Sequence, residues 1–228
     1  MARRRLVFVE QYYYPEGWGG AQLPRDITRH LARAGFDVHV ICGSDRYVSF
    51  GAQTPDDPRV DGVTIHRIPR VLGGEIHEQK LLKQVWFYVA ALPLLLFRKS
   101  PDLYITQTNP PLVVPLVLLA AALHRRPAMI IAQDLYPEVV FAHGMLSRRS
   151  FLGRILQRVF RAAYSRAACV ISLGAVMSER LVAKGVDRKR IHLISNWATG
   201  ALDPVNDEPN PLRQEWGLCG KFVLLYAG

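Results

Sequence analysis

The chain of 228 residues is 50% hydrophobic and 21% charged, and 29 lysines and arginines against 19 acidic residues give it a formal net charge of +10. This length and composition predict one substantial core, and the charge predicts an anionic partner such as a phosphorylated small molecule, an acidic lipid surface or nucleic acid. Three cysteines lie far apart without Cys-x-x-Cys spacing, which excludes a disulfide framework and a zinc site and predicts a reducing, cytoplasmic compartment.

The predicted elements alternate between strands and helices along the chain. The apolar run 6–9 predicts a first strand and, although three arginines precede it, is too short for the core of a secretion signal. Leu23, Ile27 and Leu31 recur at helical spacing and predict the first helix, which Gly35 ends. Further apolar runs predict strands at 38–42, 63–68, 102–106, 128–132, 168–172 and 191–194. Helices are expected at 76–98, 111–124, 149–166 and 175–184.

Two longer apolar runs, 85–97 and 112–123, are each interrupted by a proline, Pro93 in the first and Pro115 in the second. Both runs are shorter than the roughly 20 residues that a membrane-spanning helix needs. The alternation of strands and helices predicts an α/β fold with a doubly wound, mostly parallel, Rossmann-like sheet.

The chain is expected to divide into three parts. Residues 1–203 form the predicted α/β domain, 204–220 a linker, and 221–228 an apolar run closed by glycine that predicts the first strand of a second α/β domain. The rest of that second domain is not in the sequence. Any function that needs two domains is therefore expected to be incomplete in this chain.

Ligands of doubly wound sheets bind beyond the carboxyl ends of the strands, so the loops that follow the strands hold the candidate residues. Gly19 and Gly20 precede the first helix, where they allow backbone N–H groups to approach an anion; ordinary turn chemistry is the alternative explanation. The loop is neither Gly-x-Gly-x-x-Gly nor a phosphate-binding P-loop, which excludes both of those nucleotide-binding motifs.

Four segments at the predicted strand ends share a family pattern. The first covers 11–40, from Gln-Tyr-Tyr-Tyr-Pro-Glu through Gly-Gly to the end of the first helix; the others are Thr-Asn-Pro-Pro at 108–111, Asp-Leu-Tyr-Pro-Glu at 134–138 and Ile-Ser-Asn-Trp at 194–197. In this order they resemble the amino-terminal domain of GT-B-fold, family 4-like glycosyltransferases that build bacterial cell-surface polysaccharides of the colanic acid and O-antigen type. Phe36 departs from the family pattern, which often has histidine there.

The resemblance implies transfer of a sugar, with retention expected, from a nucleotide-sugar, UDP-linked by preference, to a glycan acceptor that is lipid-linked. The family binds the donor mainly through a carboxyl-terminal domain with two glutamates seven residues apart, so this chain is expected to be the acceptor-binding half and inactive alone. The nucleotide-sugar is a co-substrate, and no cofactor is expected. The sequence has no Asp-x-Asp pair to hold a divalent cation on the phosphates, which predicts no bound metal.

Asp134 and Glu138 are the candidate catalytic residues. Asp134 follows a buried predicted strand and precedes a turn, so its side chain is expected to face the crevice and bind an acceptor or sugar hydroxyl, with Glu138 about one helical turn away. The alternative is that both residues only stabilise the start of a helix: Asp134 would be its N-cap, and the negative charge of Glu138 would interact favourably with the helix dipole. In a retaining reaction, Asp134 would position the hydroxyl rather than deprotonate it.

The predicted substrate-binding residues lie in the same set of loops. They are Gly19, Gly20, Gln22, Asn109, His143, Asn196 and Trp197. A lone histidine beside a glycine is also explained as a surface or satisfied core residue, and an asparagine after a strand as a turn residue.

The segment 148–166 predicts an amphipathic helix with a cationic edge at Arg154, Arg158 and Arg161. Together with the apolar runs 85–97 and 112–123, this edge predicts peripheral contact with the anionic inner face of the plasma membrane. An ordinary sheet-covering helix with a solvated basic face is the alternative.

Two other classes of function remain open at this point. Nucleic acid would suit the positive charge, with Tyr12, Tyr13 and Tyr14 as a stacking platform, but the basic residues are dispersed and no RNA-binding signature is present, so we predict no nucleic-acid partner. A noncatalytic sugar-binding, nucleotide-binding or scaffold half-domain would use the same fold without transfer chemistry.

Overall fold

The structure, a computed structural model, describes residues 3–14, 19–43, 59–69, 80–97, 99–198 and 211–224, and the chain divides into two units, Met1–Trp197 and Ala198–Gly228. The strands of the first unit are β1 (Arg5–Val9), β2 (Asp37–Gly43), β3 (Arg59–Val60), β4 (Val63–Ile68), β5 (Leu103–Gln107), β6 (Ala128–Ala132), β7 (Cys169–Ser172) and β8 (Ile191–Leu193). Its helices are α1 (Gly19–Arg33), α2 (Lys80–Phe97), α3 (Val113–His124), α4 (Glu138–Ala142), α5 (Phe151–Arg166) and α6 (Ala175–Ala183), with a 3-10 turn at Arg188–Arg190.

The strands of the described chain form one sheet in the order β3-β4-β2-β1-β5-β6-β7-β8. All neighbours are parallel except β3 and β4, which form an antiparallel hairpin through Asp61 and Gly62, both with positive φ. From β1 the chain adds β2 and β4 on one side and then β5 to β8 on the other, so the winding reverses between β1 and β5. This topology confirms the predicted doubly wound, mostly parallel sheet.

Helices cover both faces of the sheet, as buried parallel strands require. One face packs against α2, α3, α5 and α6, and its core includes Phe87 and Phe160. The other face packs against α1, where Phe8 of β1 belongs to a core that Ile27 and Leu31 cover. The position of α1 opposite the later helices is the three-dimensional counterpart of the reversal in strand order.

Pro93 and Pro115, which interrupt the apolar runs of the sequence, lie inside helices. α2 continues through Pro93 to Phe97. Proline has no backbone N–H, so the carbonyl one turn earlier has no helical partner; because Pro93 is exposed, water can hydrate that carbonyl. Pro115 lies in the first turn of α3, where the backbone N–H that it lacks has no helical partner. The helices predicted around 76–98 and 111–124 are therefore not interrupted at these prolines. β3 and α4 are absent from the prediction because elements of two and five residues are too short for a periodic pattern.

The second unit, Ala198–Gly228, contains the short helix α7 (Pro211–Glu215) within the predicted linker. Arg213 Nη2 donates a hydrogen bond to the backbone oxygen of Lys221 at 2.6 Å. The described part of the predicted last strand, 221–224, belongs to no strand of the described chain, because a strand exists only through a hydrogen-bonded neighbour. The rest of that prediction, 225–228, lies outside the described residues.

Candidate functional site

The carboxyl ends of β1 and β5 flank the crevice where the winding of the sheet reverses, and ligands of doubly wound folds bind at such switch points. Glu10 and Gln11 follow β1, Gln107 ends β5, and Thr108 comes next. All four side chains are buried, with 4% exposure or less. Buried polar groups are costly unless they are hydrogen-bonded, so this cluster distinguishes the switch point from the apolar core.

Two amides of this cluster have unused hydrogen-bonding capacity. Gln11 Oε1 and Gln107 Nε2 are buried and have no hydrogen-bond partner among the described residues. An unpaired buried polar atom costs about 1–3 kcal/mol. Because one atom accepts and the other donates, a hydroxyl group or a water molecule offers what both require.

α1 begins at Gly19 and Gly20, directly after the loop that follows β1. Its first backbone N–H groups have no partner inside the helix, and the helix dipole makes this end favourable for an anion. Gln22 lies in the same turn and is half-buried. These three predicted residues therefore share one end of α1.

Asp134 is held in place by a hydroxyl from the neighbouring strand end. The buried Thr108 Oγ1 accepts hydrogen bonds from the backbone N–H groups of Gln133 at 3.0 Å and Asp134 at 2.9 Å, which ties the loop after β6 to the loop after β5. The Asp134 carboxylate is exposed and accepts no hydrogen bond among the described residues. α4 has Pro137 at its N-cap and no side-chain cap, so the capping alternative for Asp134 is wrong.

Glu138 forms an ion pair with Lys184, the residue that ends α6. Lys184 Nζ lies 2.7 Å from Oε1 and 2.6 Å from Oε2, with hydrogen-bond geometry to Oε1, and it also donates to the backbone oxygen of Tyr136 at 3.3 Å. The Lys184 side chain is 13% exposed, so the Glu138 carboxylate pairs with a largely buried ammonium group, and removal of either partner would leave the other uncompensated. A structural role accounts for Glu138, and its catalytic role stays a prediction.

The structure joins Asn196 to Gln133 across the end of β7. Asn196 Nδ2 donates to Gln133 Oε1 at 2.8 Å, and Gln133 Nε2 donates to Asn196 Oδ1 at 3.2 Å. Asn196 is thereby brought next to Asp134. Trp197 instead lies against α1, where its Nε1 donates to Asp26 Oδ2 at 3.5 Å.

His143 and Asn109 occupy different loops. His143 follows α4, is exposed, and has its Nδ1 2.9 Å from the backbone oxygen of Val139, which agrees with the surface-residue alternative. Asn109 is half-buried directly after Thr108 and so stays beside the residue that holds Asp134. The roles predicted for both residues in substrate binding stay predictions.

The three arginines predicted to face a membrane line an open cleft together with residues of α4 and α6. They are Arg154, Arg158 and Arg161 of α5. Their membrane contact stays a prediction. In the part of the chain that the structure describes, no group of three His, Cys, Asp or Glu side chains is placed to hold a metal ion.

The tyrosines that follow β1 do not form an open stacking platform. Tyr12 and Tyr13 are buried, and the guanidinium of Arg25 covers one face of Tyr14 at 3.9 Å from the ring centroid. The nucleic-acid alternative therefore loses the aromatic surface on which it depends.

Two phenols near the Asp134 loop stay protonated at neutral pH. Burial raises the pKa of Tyr136, and the negative charge of Asp134 raises it further. Burial also raises the pKa of Tyr164 far above its usual value. Tyr136 stacks on Phe160 with the ring centroids 6.0 Å apart. Neither phenol is therefore expected to act as a general base at neutral pH.

Residues 19–197 match the family model described as a glycosyl transferase 4-like domain. The chain belongs to this family. WbjE from Pseudomonas aeruginosa, a probable glycosyltransferase, is 32% identical to this glycosyl transferase 4-like chain over 131 residues, which are 56% of the chain and 32% of WbjE. The resemblance of the four strand-end segments to family 4-like glycosyltransferases is confirmed.

Solved structures share the fold of this glycosyl transferase 4-like domain. HepE from Anabaena, in complex with UDP-glucose, has a TM-score of 0.53 at 16% identity, covering 94% of the chain and 50% of HepE. The UDP-GlcNAc 2-epimerase from Methanocaldococcus jannaschii has a TM-score of 0.52 at 13% identity, covering 84% of the chain and 45% of the epimerase. The chain thus spans about half of these proteins and about a third of WbjE.

Thr108 and Gln133 are absent from the predicted site, although both lie directly beside predicted residues. Their signal in the sequence is a polar side chain within the first two positions after a predicted strand, and Asp134 has the same signal. Their partners are 25 and 63 residues away, so the sequence pattern does not indicate which of the strand-end residues meet.

Proposed function

We propose that this chain is the acceptor-side half of a glycosyltransferase that transfers a sugar from a nucleotide-sugar to a glycan acceptor in cell-surface polysaccharide biosynthesis. The proposal rests on one observation within a family 4-like domain: the Asp134 carboxylate is exposed and does not cap α4. Its backbone N–H is held by Thr108, one strand away from the switch point. Sugar transfer requires a group in the cleft that orients or deprotonates the acceptor hydroxyl.

In this proposal, Asp134 accepts a hydrogen bond from the acceptor hydroxyl and holds its oxygen near the anomeric carbon of the donor. The bond between the anomeric carbon and the diphosphate breaks, and the acceptor oxygen forms the new glycosidic bond. In the retaining course that we favour, the departing diphosphate takes the hydroxyl proton. Asp134 then contributes orientation more than basicity.

A UDP-sugar is the proposed donor. HepE, which shares the fold over 94% of this chain, was solved with UDP-glucose. At the switch point, the first N–H groups of α1 and the unpaired amides of Gln11 and Gln107 supply hydrogen bonds for phosphate or sugar oxygens. The formal charge of +10 favours an anionic donor.

The outward sides of α2, α3 and α5 form an apolar surface that we call the three-helix face. Its exposed residues are Leu82, Val85 and Val89 on α2, Leu119 and Leu123 on α3, and Phe151, Leu152, Ile155 and Val159 on α5. α3 packs between α2 and α5, so the three rows are neighbours. A helix that faces only water is polar on its outer side, so this face is suited to an apolar partner.

The charge of the three-helix face favours an anionic lipid surface as that partner. α2, α3 and α5 contain no aspartate or glutamate, and α5 carries four arginines. No described helix is long and apolar enough to cross a bilayer. The proposal therefore includes peripheral docking on the anionic cytoplasmic leaflet, where a lipid-linked acceptor would be presented.

The transfer proposal is tested with Asp134→Asn in the complete protein. We expect turnover to fall by about 100-fold or more, because the hydroxyl loses its charged acceptor, while the thermal midpoint changes little. Asp61→Asn is the matched control: it lies in the β3–β4 turn, asparagine tolerates its positive φ, and it loses one ion pair with Arg25. Equal losses of turnover and stability in Asp134→Asn would assign this residue a structural role.

The membrane proposal is tested by flotation with vesicles of phosphatidylcholine alone or mixed with phosphatidylglycerol. We expect retention by the anionic vesicles, weakening with salt, and little retention by the neutral ones. Absence of binding to either composition would remove membrane docking and leave the transfer proposal intact.

A further inference from the structure

An open cleft lies between α4, the basic side of α5 and the end of α6, and we call it the basic cleft. Its volume is about 650 Å³. Six cationic side chains line it: Arg148, Arg154, Arg158, Arg161, Arg180 and Lys184. Glu138 is the one carboxylate among its lining residues, and it is already paired with Lys184.

Three separate parts of the chain bring these charges together. Arg154, Arg158 and Arg161 are spaced by four and three residues, so they lie along one side of α5. Arg180 is in the last turn of α6, and Lys184 directly follows that helix. Arg148 comes from the turn before α5, with its guanidinium 5.3 Å from the ring centroid of Phe141. The cleft is therefore a tertiary feature rather than the solvated edge of one helix.

The arginines of the basic cleft are not neutralised by the described part of the chain. The side chains of Arg154, Arg158, Arg161 and Arg180 form no ion pair or hydrogen bond with the described residues. Like charges that share a concave surface repel one another, and the walls of a cleft concentrate their potential. An anion in the cleft would relieve this repulsion.

We propose that the basic cleft binds a diphosphate group. Arginine forks pair with phosphate oxygens two at a time, and five arginines from three segments exceed what a single phosphate accepts. The volume lies within the range of small-molecule sites, about 300–1,000 Å³. The lining offers almost no apolar side chain, Ala142 and Ala183 apart, so a hydrocarbon ligand does not suit it.

The cleft is built mainly by helices, whereas Asp134 and the buried amides of the switch point lie at strand ends. Glu138, which lines the cleft, is paired with Lys184, so we expect the diphosphate to bind without donor or acceptor. The diphosphate has two possible sources, a lipid diphosphate or a free diphosphate. If the proposed transfer to a lipid-linked acceptor holds, the first source is the expected one, and that assignment rests on the proposed function.

Titration calorimetry with inorganic pyrophosphate and inorganic phosphate, on the complete protein and without donor or acceptor, tests the site itself. We expect pyrophosphate to bind about tenfold or more tightly than phosphate and to weaken as salt is added. Equal affinities for the two anions, or no binding of pyrophosphate at low salt, would overturn the proposal.

Two variants test the lining residues: the double variant Arg154→Gln/Arg158→Gln on α5, and the single variant Arg180→Gln on α6. We expect each to weaken pyrophosphate binding by about tenfold or more. Arg166→Gln is the control matched in charge to Arg180→Gln: each removes one positive charge, but Arg166 does not line the cleft and donates to its own helix at Ala162 O. Circular dichroism confirms that each variant is folded. An equal loss in Arg166→Gln would show a response to net charge alone and would reject the site.

Vesicles that carry a lipid diphosphate, compared with vesicles that carry the matching lipid monophosphate, separate the two sources. If vesicles with the lipid diphosphate retain more protein, and if free pyrophosphate or the Arg180→Gln substitution abolishes this difference, the result would support the site and assign its ligand to a lipid. Equal retention by both vesicles, together with tight binding of free pyrophosphate, would support the site and assign it to a free diphosphate. We expect Asp134→Asn to change neither pyrophosphate binding nor vesicle retention. A failure of the transfer proposal can therefore be distinguished from a failure of the proposed diphosphate site.

Discussion

Thr108 is the residue on which the geometry of the candidate site depends. Its buried hydroxyl accepts the backbone N–H groups of both Gln133 and Asp134, which leaves the Asp134 carboxylate free to meet a substrate. A side-chain oxygen serves here in place of a backbone partner, because the chain leaves the sheet at this point.

Thr108→Val tests this dependence. Valine keeps the shape but leaves two amide groups without an acceptor, so we expect the free energy of unfolding to fall by about 1–3 kcal/mol and turnover of the complete protein to fall as Asp134 shifts. Thr106→Val, which removes a buried hydroxyl that bonds Val9 O, is the control and should cost stability without changing turnover. Equal turnover in the two variants would contradict the role of Thr108 in positioning Asp134.

Ionisation of the buried Tyr13 phenol is expected to lower the stability of the fold at alkaline pH. Burial raises its pKa to about 12, and its hydroxyl lies 2.6 Å from Thr28 Oγ1. The folded pKa lies above the unfolded value of about 10, so the unfolded state ionises first. The contribution of neutral Tyr13 to the free energy of unfolding is therefore complete below a pH of about 10 and is lost as the pH rises towards about 12.

We expect Tyr13→Phe to lower the free energy of unfolding by about 1 kcal/mol at neutral pH, through loss of the Thr28 hydrogen bond. The alkaline decline in stability should also become shallower, because the titrating phenol is gone. Urea unfolding across the alkaline range measures both effects. Tyr14→Phe is the control, and an equally shallow decline in that variant would argue against Tyr13 as the cause.

Among the elements, α5 depends on a tightly packed start. Ser150 is its N-cap: the Ser150 hydroxyl accepts from Gly153 N at 3.1 Å and donates to Ser147 O at 2.7 Å. A Cβ on Gly153 would collide with the backbone oxygen of Ser147. The glycine thus lets the turn that carries Arg148 fold back on the helix that carries Arg154.

Gly153→Ala is expected to destabilise the protein by about 2–3 kcal/mol, because backbone rather than a flexible side chain must move. We also expect weaker pyrophosphate binding, since Arg148 and Arg154 flank the displaced turn. Gly174→Ala, where a Cβ meets no atom within 4 Å, should cost less than about 1 kcal/mol. Thermal melts that rank the two variants equally would contradict the packing argument.

At the scale of the whole molecule, charge and apolar surface are distributed unevenly. The sheet face that carries α2, α3 and α5 presents the three-helix face, and the basic cleft lies along the other side of α5. An apolar surface bordered by arginines is the arrangement that binds anionic lipid.

Val89→Glu on α2 and Leu119→Glu on α3 are expected to reduce flotation with anionic vesicles by about tenfold or more, because each places a negative charge in the contact surface. Leu193→Glu on β8 is the matched control: Leu193 is 57% exposed, against 58% for Val89 and 53% for Leu119, but lies outside the three-helix face. Equal losses in all three variants would mean that net charge, not this face, controls binding.

Much of the architecture was predictable from local sequence. Period-2 and period-3.6 apolar patterns give seven of the eight described strands and the longer helices, within a few residues of their observed bounds. The expectation that ligands bind beyond the carboxyl ends of strands also selects Asp134 and Asn196, whose loops the Gln133–Asn196 hydrogen bonds join, and their roles stay predictions. β3 and α4 escape such a pattern because of their length, and the ion pair of Glu138 escapes it because Lys184 is 46 residues away.

The sequence by itself determined the element types, the parallel sheet and the family, because these depend on short-range periodicity and on motifs that lie within a few residues. Tertiary structure alone decided that the winding reverses between β1 and β5, that Thr108 positions Asp134, that Glu138 meets Lys184, and that three segments enclose the basic cleft. Each of these is a pairing between distant parts of the chain. The packing of helices on a twisted sheet decides such pairings, and local sequence patterns carry no record of it.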